Sequence, residues 1–142
     1  MIFQFVVRRL HWLAHIPGAP QLFDAGLTIA TMFFHPARIR AIESVRREIG
    51  SWPGLSLSVH RYGGTGFCVG RTVLGHVHGN GLLDVFVGRA AARELTATHL
   101  CEPHHILADS AWVSFWIREE KDFDTAIRLM QVALDRVQLQ SA

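Results

Sequence analysis

Two histidines, His76 and His78, stand one residue apart inside a stretch, 71–87, that reads as a strand, a tight glycine turn and a second strand. Residues i and i+2 of a strand project from the same face. The two imidazoles therefore sit side by side, roughly 7 Å apart at the backbone by strand rise. Paired imidazoles can bind a metal, move a proton or hold an anion. Across the Gly79-Asn80-Gly81 turn, Asp84 comes within reach of the histidine face. A carboxylate on an imidazole fixes its tautomer and raises its basicity. Gly75 and Gly79 bracket the pair and leave room beside the backbone.

A downstream segment, 100–109, reads as an irregular loop and adds Glu102, His104, His105 and Asp109. Such connections often carry functional groups over a rigid scaffold. Next to it, Trp112 and Trp116 flank Ser114 and Phe115 on another strand. Aromatic walls suit a flat organic ligand, and core packing uses the same residues. Three uses of the histidines stand side by side. His76, His78 and His104 transfer protons or stabilise an oxyanion. Alternatively, His-x-His and one more ligand hold a metal. In the third, the rings satisfy structural partners and have no further role. The first leads, and it calls for no cofactor and assigns no metal ligands. Gly63-Gly64-Thr65-Gly66 lacks the lysine and helix of a phosphate loop. No Gly-x-Ser-x-Gly elbow is present.

The bulk properties suit a folded protein. The chain has 142 residues, 49% hydrophobic and 18% charged, enough for a substantial core without disulfides. A formal net charge of +2 is too small to argue for a nucleic-acid partner. Nine histidines make the chain more cationic in mild acid. Cys68 and Cys101 form no disulfide framework and read as reduced thiols. With no signal-peptide pattern at the start, a cytoplasmic location is expected, with peripheral membrane contact as its extension.

Residues 1–35 differ from the rest and are expected to be a helical extension. Phe3, Val6, Leu10 and Leu13 follow helical spacing among Arg8, Arg9, His11 and His15. Pro17-Gly18-Ala19-Pro20 breaks that helix, and Leu22 to Phe34 makes a second, apolar nearly all round. The pair can pack on the main domain, on a second copy, or on a membrane surface. The main domain is read as 36–142. Pro36 to Gly50 forms a helix with an Ile39, Ile42, Val45, Ile49 stripe. Leu55, Leu57 and Val59 alternate with polar residues as a half-buried strand. Strands around Phe67, around Val73–His78 and around Leu83–Val87 follow with short turns, an antiparallel meander. A helix over 89–98, a fifth strand at 112–117 and a last helix capped by Asp122 complete the chain. The last helix has a buried stripe of Phe123, Ala126, Ile127, Met130, Leu134 and Val137. The class is α+β: helices against one face of a mostly antiparallel sheet of about five strands. Val73, Gly75 and Val77 are expected on one face of their strand, with Leu74, His76 and His78 on the other.

Four motifs taken together carry a family resemblance. They are His60-Arg61-Tyr62-Gly63-Gly64, Gly75-His76-Val77-His78-Gly79-Asn80-Gly81, Glu102-Pro103-His104-His105-Ile106-Leu107 and Asp109-Ser110-Ala111-Trp112-Val113-Ser114. Over roughly residues 40–138 the chain resembles small bacterial proteins named for a luciferase domain, which look like fungal luciferase. The fungal His-x-His and its later histidine before a short apolar run match His76, His78 and His104. The resemblance implies oxygen addition to a hydroxylated pyrone-like phenolic, without an organic cofactor. A histidine would remove a proton, and the electron-rich anion would meet oxygen. The chain departs from the fungal pattern in a shorter N-terminal portion and in its Gly-Asn-Gly turn, so light emission is not expected.

The combined expectation is a histidine-lined small-molecule site. His76, His78 and His104 act on the ligand, and Asp84 orients one of them. His60, Arg61, His105, Trp112 and Ser114 contact the substrate, with Arg61 on an anionic substituent. The rival expectation is a non-catalytic ligand-, metal- or partner-binding module.

Overall fold

The computed structural model describes residues 16–61, 63–104 and 109–141. The helix expected over the first fifteen residues, Tyr62 and His105 lie outside them. Helix α1 spans Ala19–Phe34 and helix α2 spans Pro36–Gly50. Strands β1 (Leu55–Val59), β2 (Thr65–Val69), β3 (Thr72–Val77) and β4 (Leu82–Phe86) follow. Helix α3 (Arg89–Ala97) leads to the two-residue β5 (Glu102–Pro103) and to β6 (Trp112–Trp116). A 3-10 turn at Glu120–Asp122 precedes helix α4 (Phe123–Ser141). The strands form one antiparallel sheet in the order β1-β2-β3-β4-β6-β5. The fold is α+β, as the element pattern predicts. The loop expected at 100–109 supplies the additional strand β5.

Proline places the boundary between the first two helices. Pro36 occupies the first turn of α2, where its missing N–H costs nothing. It also disfavours helical backbone at the residue before it, and His35 leaves the helix at φ −141°. In α2 the predicted stripe is inside: Ile42, Val45 and Ile49 are buried and Ile39 is half-buried. Ala126, Leu129, Met130, Ala133 and Leu134 of α4 join it under Phe67, Leu83, Val85 and Val113 of the sheet. Each fully buried aliphatic chain contributes about 1.5–3 kcal/mol. Asp122 stands immediately before α4, as expected, and its carboxylate also accepts from the Arg118 and Glu119 amides, at 2.8 and 3.1 Å, across the 3-10 turn.

Two strand expectations change in the sheet. Leu57 and Val59 of β1 are exposed, because β1 is an edge strand. Between β2 and β3, Phe67 faces Gly75 while Cys68 faces Val73, so Leu74 is an extra residue in a β-bulge. The bulge resets the alternation. Leu74 turns into the hydrophobic core, and Val73 falls on the Cys68 side. Beyond the bulge the expected alternation holds.

Helix α1 is inverted relative to an ordinary amphipathic helix. Its inward stripe is Gln21, Asp24, Thr28 and Thr31, half-buried or buried. Leu22, Ile29, Met32, Phe33 and Phe34 are outside, with Phe33 78% exposed. Gly79 lets the helix approach: a Cβ there would lie 1.9 Å from Thr28 Oγ1 and 2.7 Å from the Thr28 nitrogen. No helix among the described residues is long and apolar enough to cross a membrane.

Candidate functional site

Antiparallel pairing lines up one polar row across the sheet. Ser58 faces Gly66, Gly66 faces His76, His76 faces Asp84, Asp84 faces Ser114, and Ser114 faces Glu102. Directly opposed residues share a face, and this row lies on the side away from Phe67 and Val85. The turn after His78 sets the register. The His78 amide donates to the Leu82 carbonyl at 2.9 Å, and Gly81 closes the turn with φ +90°, a conformation that suits glycine. The short hairpin thus delivers the expected Asp84–His76 pairing.

Asp84 is the centre of the cluster. It is 0% exposed. The Ser114 hydroxyl donates to Asp84 Oδ1 at 2.5 Å. His76 Nε2 lies 3.3 Å from Asp84 Oδ2, and His104 Nε2 lies 3.8 Å from Asp84 Oδ1. Two histidines from different parts of the chain therefore flank one buried carboxylate. Ser114, expected at the ligand, is buried behind Asp84 and orients it.

His78 has a different carboxylate. Its Nδ1 lies 3.1 Å from Asp24 Oδ1, which also accepts the Gly79 amide at 3.0 Å. Asp24 comes from α1, 54 residues earlier. Sequence reading did not assign Asp24 to the site because it falls in a tract that reads as apolar nearly all round. The available signal was the 21, 24, 28, 31 spacing of its polar residues, and Asp24 is the sole acid before Glu43. From the same stripe, Gln21 Nε2 donates to the His60 and Arg61 carbonyls at 3.2 and 3.4 Å.

Rings complete the site. His60 stacks on His76 with centroids 3.8 Å apart and planes 6° from parallel. His78 meets His76 edge-on at 5.0 Å. Trp112 stands 5.8 Å from His76 and 6.2 Å from His104. Burial pushes the His60 pKa down from 6.5 to about 4, helped by His76, His78 and Arg61 and opposed by Asp84. His60 is therefore neutral near pH 7. Arg61 is exposed and acts on His60 through its charge.

The cluster is enclosed. His76 and His78 are each 6% exposed, and His104 is 9% exposed. A cleft of about 510 Å³ lies beside it, bordered by Arg89, Arg93, Pro103, Asp109, Ser110 and Trp112. Among the described residues no histidine lines this cleft, and Trp112 is a wall it shares with the histidine cluster.

The arrangement offers three kinds of chemistry. A carboxylate-backed imidazole can accept a proton. Neighbouring imidazoles can hold an anion. The ligand atoms of His76, His78 and Asp84 all lie within 4.8 Å of one another and can hold a metal ion. Residues 71–133 match the protein family described as Luciferase domain. That segment contains His76, His78, Asp84, His104, Trp112 and Ser114, whereas Asp24, His60 and Arg61 precede it. No curated protein and no solved structure matches the chain.

Proposed function

From the match of residues 71–133 to the family described as Luciferase domain, we propose that the chain acts on a small, flat phenolic or pyrone-like ligand by proton-transfer or oxygenase-type chemistry. The carrying observation is Asp84, fully buried, with His76 at 3.3 Å and His104 at 3.8 Å. A carboxylate in that position raises the basicity of the imidazoles it contacts. Those imidazoles then remove the proton of a ligand hydroxyl and leave an electron-rich anion. His78, held by Asp24, faces His76 and adds a second group for the anion. His60 stays neutral and stacks on His76.

The ligand approaches through the cleft of about 510 Å³. Trp112 gives a flat aromatic ligand a stacking surface at the boundary. Arg89 and Arg93 on the cleft wall suit an acidic substituent.

A non-catalytic binding module is the rival, and the low exposure of the three rings favours it. The deciding experiment is a screen of flat phenolics and pyrones, read by tryptophan fluorescence and by oxygen uptake. The His76→Ala/His78→Ala double variant should lose at least about 100-fold in binding or turnover, the size of effect seen when groups that act together are removed. Wild-type binding with neither oxygen uptake nor any chemical change of the ligand supports the module. Identical ligand behaviour in a folded double variant rejects the histidine site.

A further inference from the structure

We infer that His76, His78 and Asp84 form a site for one divalent first-row metal ion, with Asp24 and Ser114 as the outer groups that aim its ligands. This deepens the site reading above and shares its residues. With an ion bound, His76 and His78 would act as its ligands instead of as bases, the ion would lower the pKa of a ligand hydroxyl, and His104 would be the neighbouring proton acceptor.

The donor set is the first argument. Two imidazoles and one carboxylate suit zinc or ferrous iron and leave coordination positions open for a small molecule. Calcium and magnesium prefer oxygen donors throughout. Burial is the second. All three residues are buried, with Asp84 at 0% exposure. A divalent cation is an apt counter-charge for a carboxylate held that deeply.

Geometry is the third argument. Metal–nitrogen and metal–oxygen bonds of about 2.1 Å put neighbouring ligand atoms about 3.0–3.4 Å apart. His76 Nε2 and Asp84 Oδ2 are 3.3 Å apart. The three ligand atoms lie within 4.8 Å of one another. Two atoms on one ion can be at most about 4.2 Å apart, so small side-chain rotations complete the site.

The outer groups are the fourth and most specific argument. Metal-bound histidines almost always pass their other ring nitrogen to a carboxylate, a carbonyl or water. Asp24 Oδ1 takes Nδ1 of His78 at 3.1 Å, which assigns Nε2 of His78 to the ion. The Ser114 hydroxyl takes Asp84 Oδ1, which assigns Oδ2, the oxygen facing His76, to the ion. Helix α1 thus contributes an outer carboxylate, and this explains why a helix with an apolar exterior turns its single acid inward.

The test uses the full chain, stripped with a chelator and titrated with Co(II) and with Zn(II). The readouts are stoichiometry, visible Co(II) absorption and the shift in melting temperature, with circular dichroism reporting the fold. One ion per chain is expected, and it should raise the melting temperature, because an ion that binds only the folded state stabilises it. His76→Ala and His78→Ala should each lose at least about 100-fold in affinity, and Asp24→Asn about 10–100-fold with the stoichiometry kept. Asp24→Asn keeps the test decisive if the histidine variants fail to fold, since the amide oxygen of asparagine can still accept from the Gly79 amide. The inference is overturned if the folded wild-type chain binds neither ion, or if Asp24→Asn binds as tightly as wild type. Chelator-stripped protein that still turns over a phenolic probe overturns the metal site and leaves the ligand site standing. Stoichiometric Co(II) binding without any phenolic binding does the reverse.

Discussion

Replacing His60 by phenylalanine should remove a defined part of the protein's sensitivity to acid. The ring of His60 stacks on His76, and its pKa is pushed from 6.5 down to about 4 by burial and by the neighbouring cationic groups. Between those two values the unfolded chain holds a proton at this position that the folded chain does not. Acid therefore favours unfolding. The contribution is complete above pH 6.5, shrinks as the pH falls, and is gone below pH 4. At 1.36 kcal/mol per pH unit the full displacement corresponds to about 3 kcal/mol. The ring is only half-buried, and solvent screening reduces this to about 1–2 kcal/mol. Phenylalanine keeps a flat ring against His76 and cannot be protonated. Urea unfolding at about pH 7, 5.5 and 4.5, followed by tryptophan fluorescence, gives the stability of each protein from midpoint and slope. Wild type should lose about 1–2 kcal/mol more than His60→Phe over that range. His76 and His78 act on His60 through their charge, so the difference belongs to the three rings together. Parallel losses in the two proteins would refute the assignment of the acid sensitivity to His60.

Two other substitutions test the frame of the site. Ser114→Ala deletes the hydroxyl that holds Asp84 Oδ1; it should cost about 1.5–3 kcal/mol in chemical denaturation, and an unchanged midpoint would mean that Asp84 is oriented without it. Phe33 is 78% exposed on α1, so Phe33→Ser should shift stability by less than about 0.5 kcal/mol. The same variant should reduce pelleting with anionic vesicles or self-association in sedimentation velocity, and wild-type behaviour in both assays would remove the outer face of α1 as a docking surface.

Much of the site was legible because it is built from local rules. A strand places i and i+2 on one face, so His76 and His78 belong together whatever the rest of the chain does. A short glycine turn leaves few registers for the returning strand, and Asp84 falls opposite His76. The apolar stripes of 39–49 and 123–137 fix two helices and the faces they bury, because helical period and hydrophobic burial act within a few turns. The family match covers this same central part of the chain.

Other features depended on contacts that no local pattern encodes. Asp24 reaches His78 because Gly79 lets a helix come close to the turn. Local sequence registers α1 as apolar, and only its packing shows that the polar stripe faces in. Leu74 turns into the core because β2 and β3 differ by one residue in length across their pairing, a mismatch visible only once the two strands are joined. The irregular segment carrying His104 has no period, so its distance from Asp84 is set by β5 pairing with β6. Sequence alone thus determined that His76, His78 and Asp84 share one face of the hairpin. The tertiary structure decided which carboxylate each imidazole receives and how deeply the cluster is enclosed, because both follow from long-range packing against an element whose own sequence argues for the opposite orientation.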